Sequence, residues 1–211
     1  VMNLSATRSN PNSGAIIPPG TVFREARVND TGISGDITFN FRPTDDHLGY
    51  LKYSRGYKGP HINGLVLNPR QTVDGADLTS PVLPEKVDAL EFGVKTSWLD
   101  NTLTINGSVF YYDYKDIQIF QLRNAVGSVP VQQLINANDA DIYGAEIEIR
   151  AHPLYGLVPE SIDGLEVFAS FGWLHSTYTE FSNTIYNYNM DGELEVSPLD
   201  FSGNRLINSP E

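Results

Sequence analysis

Apolar and polar residues alternate with a period of two over long stretches of this chain. The longest is residues 87–121. In its first arm Leu90, Phe92, Val94, Thr96 and Trp98 fall on one face, and Glu91, Gly93, Lys95 and Ser97 on the other. In its second arm Leu103, Ile105, Gly107, Val109 and Tyr111 alternate with Thr104, Asn106, Ser108, Phe110 and Tyr112. Alternation of this kind predicts strands, and the Asp100-Asn101 pair between the arms predicts a hairpin turn. Further strands are predicted over residues 23–42, where Ile37, Phe39 and Phe41 alternate with Asp36, Thr38 and Asn40, and over residues 48–58. Two more follow. In residues 139–153 Ala145, Ile147 and Ile149 oppose Glu146, Glu148 and Arg150; in residues 164–181 Leu165, Val167, Ala169, Phe171 and Trp173 share a face. The closing RLINSPE, residues 205–211, reads as the start of another strand.

Strand length separates this chain from an ordinary all-β domain. Taken as one strand, residues 102–120 would span about 60 Å at roughly 3.3 Å per residue, whereas soluble strands average about 5 to 6 residues. About 9 to 11 tilted residues cross a bilayer. The connections strengthen this reading, because they alternate in length. Residues 43–47, 100–101 and 152–163 are the shorter turns; residues 59–86, 122–138 and 182–204 are long and polar, and residues 1–20 read as a loop or a disordered end. An up-and-down meander with this alternation carries its short turns on one side and its long loops on the other, as bacterial outer-membrane barrels do. Trp98, Tyr111, Tyr112, Tyr114, Trp173 and Tyr178 lie towards strand ends, where an interfacial girdle places amphipathic rings. The expected fold is therefore all-β, an antiparallel meander forming part of a large transmembrane β-barrel.

Composition removes several function classes. Net charge is −12 over 211 residues, and Lys and Arg do not cluster, which argues against nucleic acid. With no cysteine there is neither a disulfide framework nor a thiolate metal site. His47, His61, His152 and His175 lack ligand spacing. Asp74 with Asp77, Asp139 with Asp141, and Asp191 with Glu193 do not keep the spacing of a calcium loop. No nucleophile elbow, phosphate loop or dinucleotide fingerprint occurs, and Glu91, Glu146 and Glu148 read as the polar lining of a barrel rather than an acid–base pair. No enzyme and no cofactor are expected. The first residues lack the basic and apolar regions of a signal peptide. Two rival readings stand beside the receptor wall: a soluble β-sandwich that binds carbohydrate through exposed Tyr and Trp, and a passive porin.

Particular segments resemble the TonB-dependent outer-membrane receptors. LGYLKYSRGYKGPHIN is similar to a strand of that family that ends before an external loop, through Tyr50, Ser54, Arg55, Gly56, Tyr57 and Lys58. Pro84, Glu85, Glu91, Gly93, Lys95, Asn106, Phe110, Tyr112, Tyr114 and Gln118 follow the order of the family's next hairpin. Asn136, Ala137, Tyr143, Gly144, Glu146 and Glu148 resemble the strand after it, and GNRLINSPE the start of another. The resemblance implies a barrel of about 22 strands with a plugged lumen, of which residues 1–211 would be an internal piece without the plug or the closing strands. It implies residence in the bacterial outer membrane among its lipids, energy supplied by TonB through the plug, and import of a scarce small molecule such as a ferric siderophore. Arg55, Tyr57, Lys58 and His61 are then the candidate ligand contacts at the external rim, since cations beside aromatic rings suit carboxylate or catecholate groups. The competing reading of the same residues is a strand rim anchored at the interface.

Overall fold

A computed structural model describes residues 2–7, 25–63, 81–123, 131–159, 161–188, 194–207 and 209, which contain strands and no helix. In chain order the strands are Met2–Thr7 (β1), Glu25–Asp30 (β2), Gly35–Thr44 (β3), His47–Lys58 (β4), His61–Ile62 (β5), Pro81–Val82 (β6) and Glu85–Trp98 (β7). There follow Leu103–Lys115 (β8), Gln118–Arg123 (β9), Val131–Asn136 (β10), Asp139–Ala151 (β11), Val167–Glu180 (β12), Ser182–Tyr188 (β13) and Leu194–Asp200 (β14). Six of them form one antiparallel sheet in the order β12-β11-β8-β7-β4-β3, a meander in which each strand pairs with the next one of the sheet along the chain. The other eight pair two by two as small hairpin ladders: β1 with β2, β5 with β6, β9 with β10, and β13 with β14.

The expected alternation of connections holds, but the long ones are not loops. At one end of the sheet β3 turns into β4 through Asp45 and Asp46, and β7 into β8 through residues 99–102. Leu99, Asp100 and Asn101 all have positive φ (53°, 52° and 67°), the left-handed pair at 100–101 being what a tight hairpin between right-twisted strands requires. At the other end β4 leads to β5–β6, β8 to β9–β10 and β12 to β13–β14, so the polar segments contain paired strands of their own. The predicted loops at residues 59–86, 122–138 and 182–204 are corrected accordingly; residues 64–80, 124–130 and 189–193 lie outside the described set, and Asp74, Asp77, Asp191 and Glu193 with them.

Three strand boundaries also differ from expectation. Residues 102–120 are not one strand: Asp116 adopts φ 55° and Asn138, opposite it, φ 30°. These matched kinks, tolerable for Asp and Asn in the left-handed region, swing β9 and β10 off the main sheet. The crossing is closed by Ile117 N–H donating to Asn138 O at 2.9 Å and Ala137 N–H to Ile117 O at 2.6 Å. Residues 23–42 divide into β2 and β3 around residues 31–34. Residues 1–20 include a strand, because β1 finds in β2 a partner for its backbone groups. The segment after β14 lies beside the outer end of β12, with Tyr178 N–H donating to Asn204 O and Gly203 N–H to Tyr178 O. It forms no strand among the described residues.

Register places like with like across all six strands. One row reads Ile37, Tyr53, Leu90, Tyr111, Tyr143, His175; the next Phe39, Leu51, Phe92, Val109, Ala145, Trp173; the next Phe41, Gly49, Val94, Gly107, Ile147, Phe171. This apolar face is exposed: Phe39 is 69% and Phe171 66% accessible. The buried apolar residues, Ile62, Val82, Ile117, Leu134, Ala137, Ala140, Tyr178 and Phe181, all belong to the outer hairpins or their junction with the sheet. A soluble β-sandwich requires a second sheet over the apolar face, and among the described residues nothing covers it.

Candidate functional site

The sheet presents two chemically opposed faces and, at the end away from its tight turns, a cluster of hairpins. The apolar face is bordered by aromatic residues on both margins. Near the tight turns Trp98 stands edge-on to His47 with ring centres 4.6 Å apart, its Nε1–H donating to Thr96 Oγ1 at 3.0 Å. Near the hairpins Tyr143 packs against both Trp173 and His175. There Tyr53 donates its hydroxyl proton to Asp88 (2.5 Å) and Tyr111 to Asp141 (2.8 Å). Beyond that row the same face turns abruptly charged. Arg55 clasps Asp88 through two bonds of 2.7 Å, and Lys115 lies 2.9 Å from Asp139 and 3.1 Å from Asp113. An apolar band, an aromatic margin and then charge is the sequence of surfaces that a lipid tail, its interface and its headgroups call for.

The opposite face is polar yet more covered. Tyr50 donates to Glu91 at 2.5 Å, and the far end of its side chain covers Gly93, where a Cβ would collide with it. One strand pair away Phe110 covers Gly144 and stacks on Tyr112 with ring centres 5.1 Å apart. Lys52 pairs in register with Glu91, Lys95 with Asn106, and Glu148 with Asn106 from the other side. Arg150 meets Glu166 at 3.4 Å, so its counter-charge lies beside the strand rather than among these carboxylates. Such a lining, with Glu91, Lys52, Tyr50 and Tyr112 half-buried and Lys95 and Glu148 exposed, suits water or another polar body.

Side-chain amides tie the hairpin cluster together. Gln118 donates through Nε2 to the carbonyl oxygens of Gly59 and Leu83, both at 2.9 Å, while its N–H reaches Glu85 at 2.8 Å. Asn136 accepts from Leu83 N–H at 2.7 Å and donates to Leu83 O and Asp116 O. Asn63 exchanges two bonds with the Leu134 backbone, at 2.8 and 2.9 Å. Through these three residues the β5–β6 and β9–β10 hairpins become one body. Gln121 and Gln133 face each other across β9–β10, and the Oε1 of each is buried with no donor among the described residues. At the foot of β13–β14 the Ser202 hydroxyl accepts from Phe181 N–H at 3.0 Å. The same hydroxyl, with the Ser202 N–H, holds the Asp200 carboxyl below its usual range.

The four rim residues singled out in the sequence do not converge. Arg55 and Tyr57 point to the apolar side, Arg55 spent on Asp88 and Tyr57 donating to Asp30 at 2.9 Å while its ring covers Gly32. Lys58 lies on the other side, 3.7 Å from Glu85, and His61 is exposed in β5. Of the expected girdle, Trp98, Tyr111 and Trp173 take that position. Tyr112 and Tyr114 belong to the polar face, and Tyr178 is buried with Phe181 and Ala140. Alternation alone misses Asn63, Gln118 and Asn136, whose importance lies in backbone atoms distant in sequence; the last two do fall among the positions that carry the family resemblance.

Residues 4–211 match the family described as TonB dependent receptor-like, beta-barrel. The pesticin receptor of Yersinia enterocolitica serotype O:8 / biotype 1B is 29% identical over 126 residues, which is 60% of this chain and 17% of that protein. The pesticin receptor of Yersinia pestis matches to the same extent. The chain thus covers about a sixth of these curated relatives, 17% of their length. Among solved structures, the ferric yersiniabactin uptake receptor from Yersinia pestis superposes with a TM-score of 0.54 at 20% identity, covering 80% of this chain and 25% of that one. The copper transporter OprC superposes at 0.50 with 19% identity, covering 76% and 22%. Both structural likenesses bear on the fold.

Proposed function

Because the chain belongs to the TonB-dependent receptor family, as a part of its β-barrel domain, we propose that it forms a stretch of wall in a bacterial outer-membrane import receptor energised through TonB. The observation that carries this is the inverted sheet: six strands whose apolar face is exposed and whose polar face is the more covered. Such a sheet suits a solvent of lipid on one side and a water-filled or plugged lumen on the other. The strands of ten to fourteen residues are long enough to cross with tilt. On this reading the tight turns face the periplasm and the hairpin cluster faces outward, where the ligand arrives.

The ligand of the whole receptor is a metal chelate, with an iron–siderophore complex as the first candidate. The solved relative described as a ferric yersiniabactin uptake receptor supports that class, and the one described as a copper transporter supports a metal as cargo. Lys58 and His61, at the entry to the β5–β6 hairpin, are the rim contacts offered to an anionic chelate. Arg55 and Tyr57 serve instead as anchors on the lipid side. The test is uptake of radiolabelled ferric chelates by cells that lack the full-length gene, complemented with or without an active TonB. Loss of uptake of at least one ferric chelate, restored only when TonB is present, is expected. Unchanged uptake of every chelate tried, or restoration without TonB, would overturn the reading.

A further inference from the structure

Glycine occurs on both faces of the sheet, some positions covered and others open; Gly172, on the polar face, has only Glu146 Cγ near it, at 4.0 Å. On the polar face Gly93 and Gly144 are held under aromatic rings, and a Cβ would collide. On the apolar face a Cβ at Gly49 would meet only Phe41 O, at 4.0 Å, and one at Gly107 nothing closer than 3.6 Å. Neither position has a positive φ, so packing and backbone both leave room for a side chain at residue 49. Its absence opens a hollow of about 370 Å³ walled by Phe39, Phe41, Leu51, Phe92 and Val94, with His47 and Thr96 at the end nearest the tight turns.

The hollow lies two residues from the β3–β4 turn, whose exposed carboxylates are Asp45 and Asp46; Asp100 sits on the neighbouring turn. Lys95 stands opposite Leu48 in register and, with it, on the polar face. The margin below the hollow thus carries the exposed carboxylates of Asp45 and Asp46, which disfavour an anionic headgroup and attract an ammonium. We propose that the hollow is a binding site for one acyl chain of a phospholipid with an ammonium headgroup, drawn from the leaflet on the tight-turn side, the headgroup lying against Asp45 and Asp46. This rests on the membrane-wall reading above.

The full-length receptor, reconstituted into vesicles, tests it with phospholipids carrying a photoreactive diazirine in the acyl chain. One set bears an ethanolamine headgroup and the other a glycerol headgroup. With ethanolamine lipid, crosslinks should concentrate several-fold on peptides containing Phe41 and Gly49 relative to those containing Ile147 and Phe171, which lie in the same row. Gly49→Leu should bring the hollow down to the level of that row while heat-modifiable electrophoretic mobility reports an intact barrel. Asp45→Asn with Asp46→Asn should remove the preference for ethanolamine over glycerol. Even crosslinking along the row in the wild type overturns the site and leaves the wall reading standing. An absence of crosslinks on every apolar row overturns the wall reading itself, and a preference for the glycerol lipid overturns the headgroup assignment.

Discussion

At Gly144 an added methyl group would lie 2.3 Å from the Trp173 carbonyl oxygen and 2.7 Å from the Phe110 ring. At Gly93 it would meet only the far end of the Tyr50 side chain. A strand backbone gives way less easily than a ring, so Gly144→Ala is expected to cost about 1–3 kcal/mol of barrel stability, the range for overpacking. Gly93→Ala should cost less, and its cost should largely vanish in a Tyr50→Leu background. Urea unfolding of the full-length protein in lipid vesicles measures both. A second contrast separates the faces. Ile147→Arg and Val109→Arg, on the apolar face, should destabilise by about 2–4 kcal/mol if they sit near the bilayer midplane. Arg at Ser108 or Asn106, one residue away on the polar face, should cost much less. Equal tolerance would mean that lipid does not contact this face.

The hairpins depend on a few amides. Asn136→Ala would remove the acceptor of Leu83 N–H and a donor from Leu83 O and Asp116 O, exposed or half-buried bonds whose loss costs about 0.5–1.5 kcal/mol each. Hydrogen exchange should then quicken around residues 81–85 and 115–118 while β7, β8 and β11 keep their protection. Uniform quickening would show that the hairpins and the sheet open together. Gln121→Met with Gln133→Met removes two buried acceptors that lack donors, and the pair should leave stability unchanged or raised. The six long strands were legible in the sequence because their alternation runs unbroken, and both faces came out as the pattern implied. The hairpins were not, because Gln118-Ile119-Phe120 continues the alternation of β8, and only the left-handed backbone at Asp116, invisible to a hydrophobic pattern, turns the chain aside. The rim residues part for a related reason. Arg55 and Lys58 are three residues apart, an odd number in a period of two, and so point to opposite faces.

For the molecule as a whole, among the described residues, the sheet has two lateral edges, β3 and β12, and one uncovered apolar face. The 211-residue chain expressed by itself should therefore aggregate in detergent-free buffer, through exposed apolar surface and edge-to-edge pairing. A monodisperse monomer with cooperative unfolding would contradict this. Sidedness is open to a direct check, aided by the lack of native cysteine in this chain. In the full-length receptor on intact cells, His61→Cys and Gln132→Cys should react with an impermeant thiol reagent and Asn101→Cys should not; the reverse pattern would invert the topology. The amide clasps at Asn63, Gln118 and Asn136 also bear on how such a surface diversifies. Each side chain holds backbone atoms of the other hairpin, so the clasps tie together the two hairpin bases rather than any one strand pair. Transplanting one hairpin from its base would remove hydrogen-bond partners from its neighbour, so the two are expected to graft successfully only together.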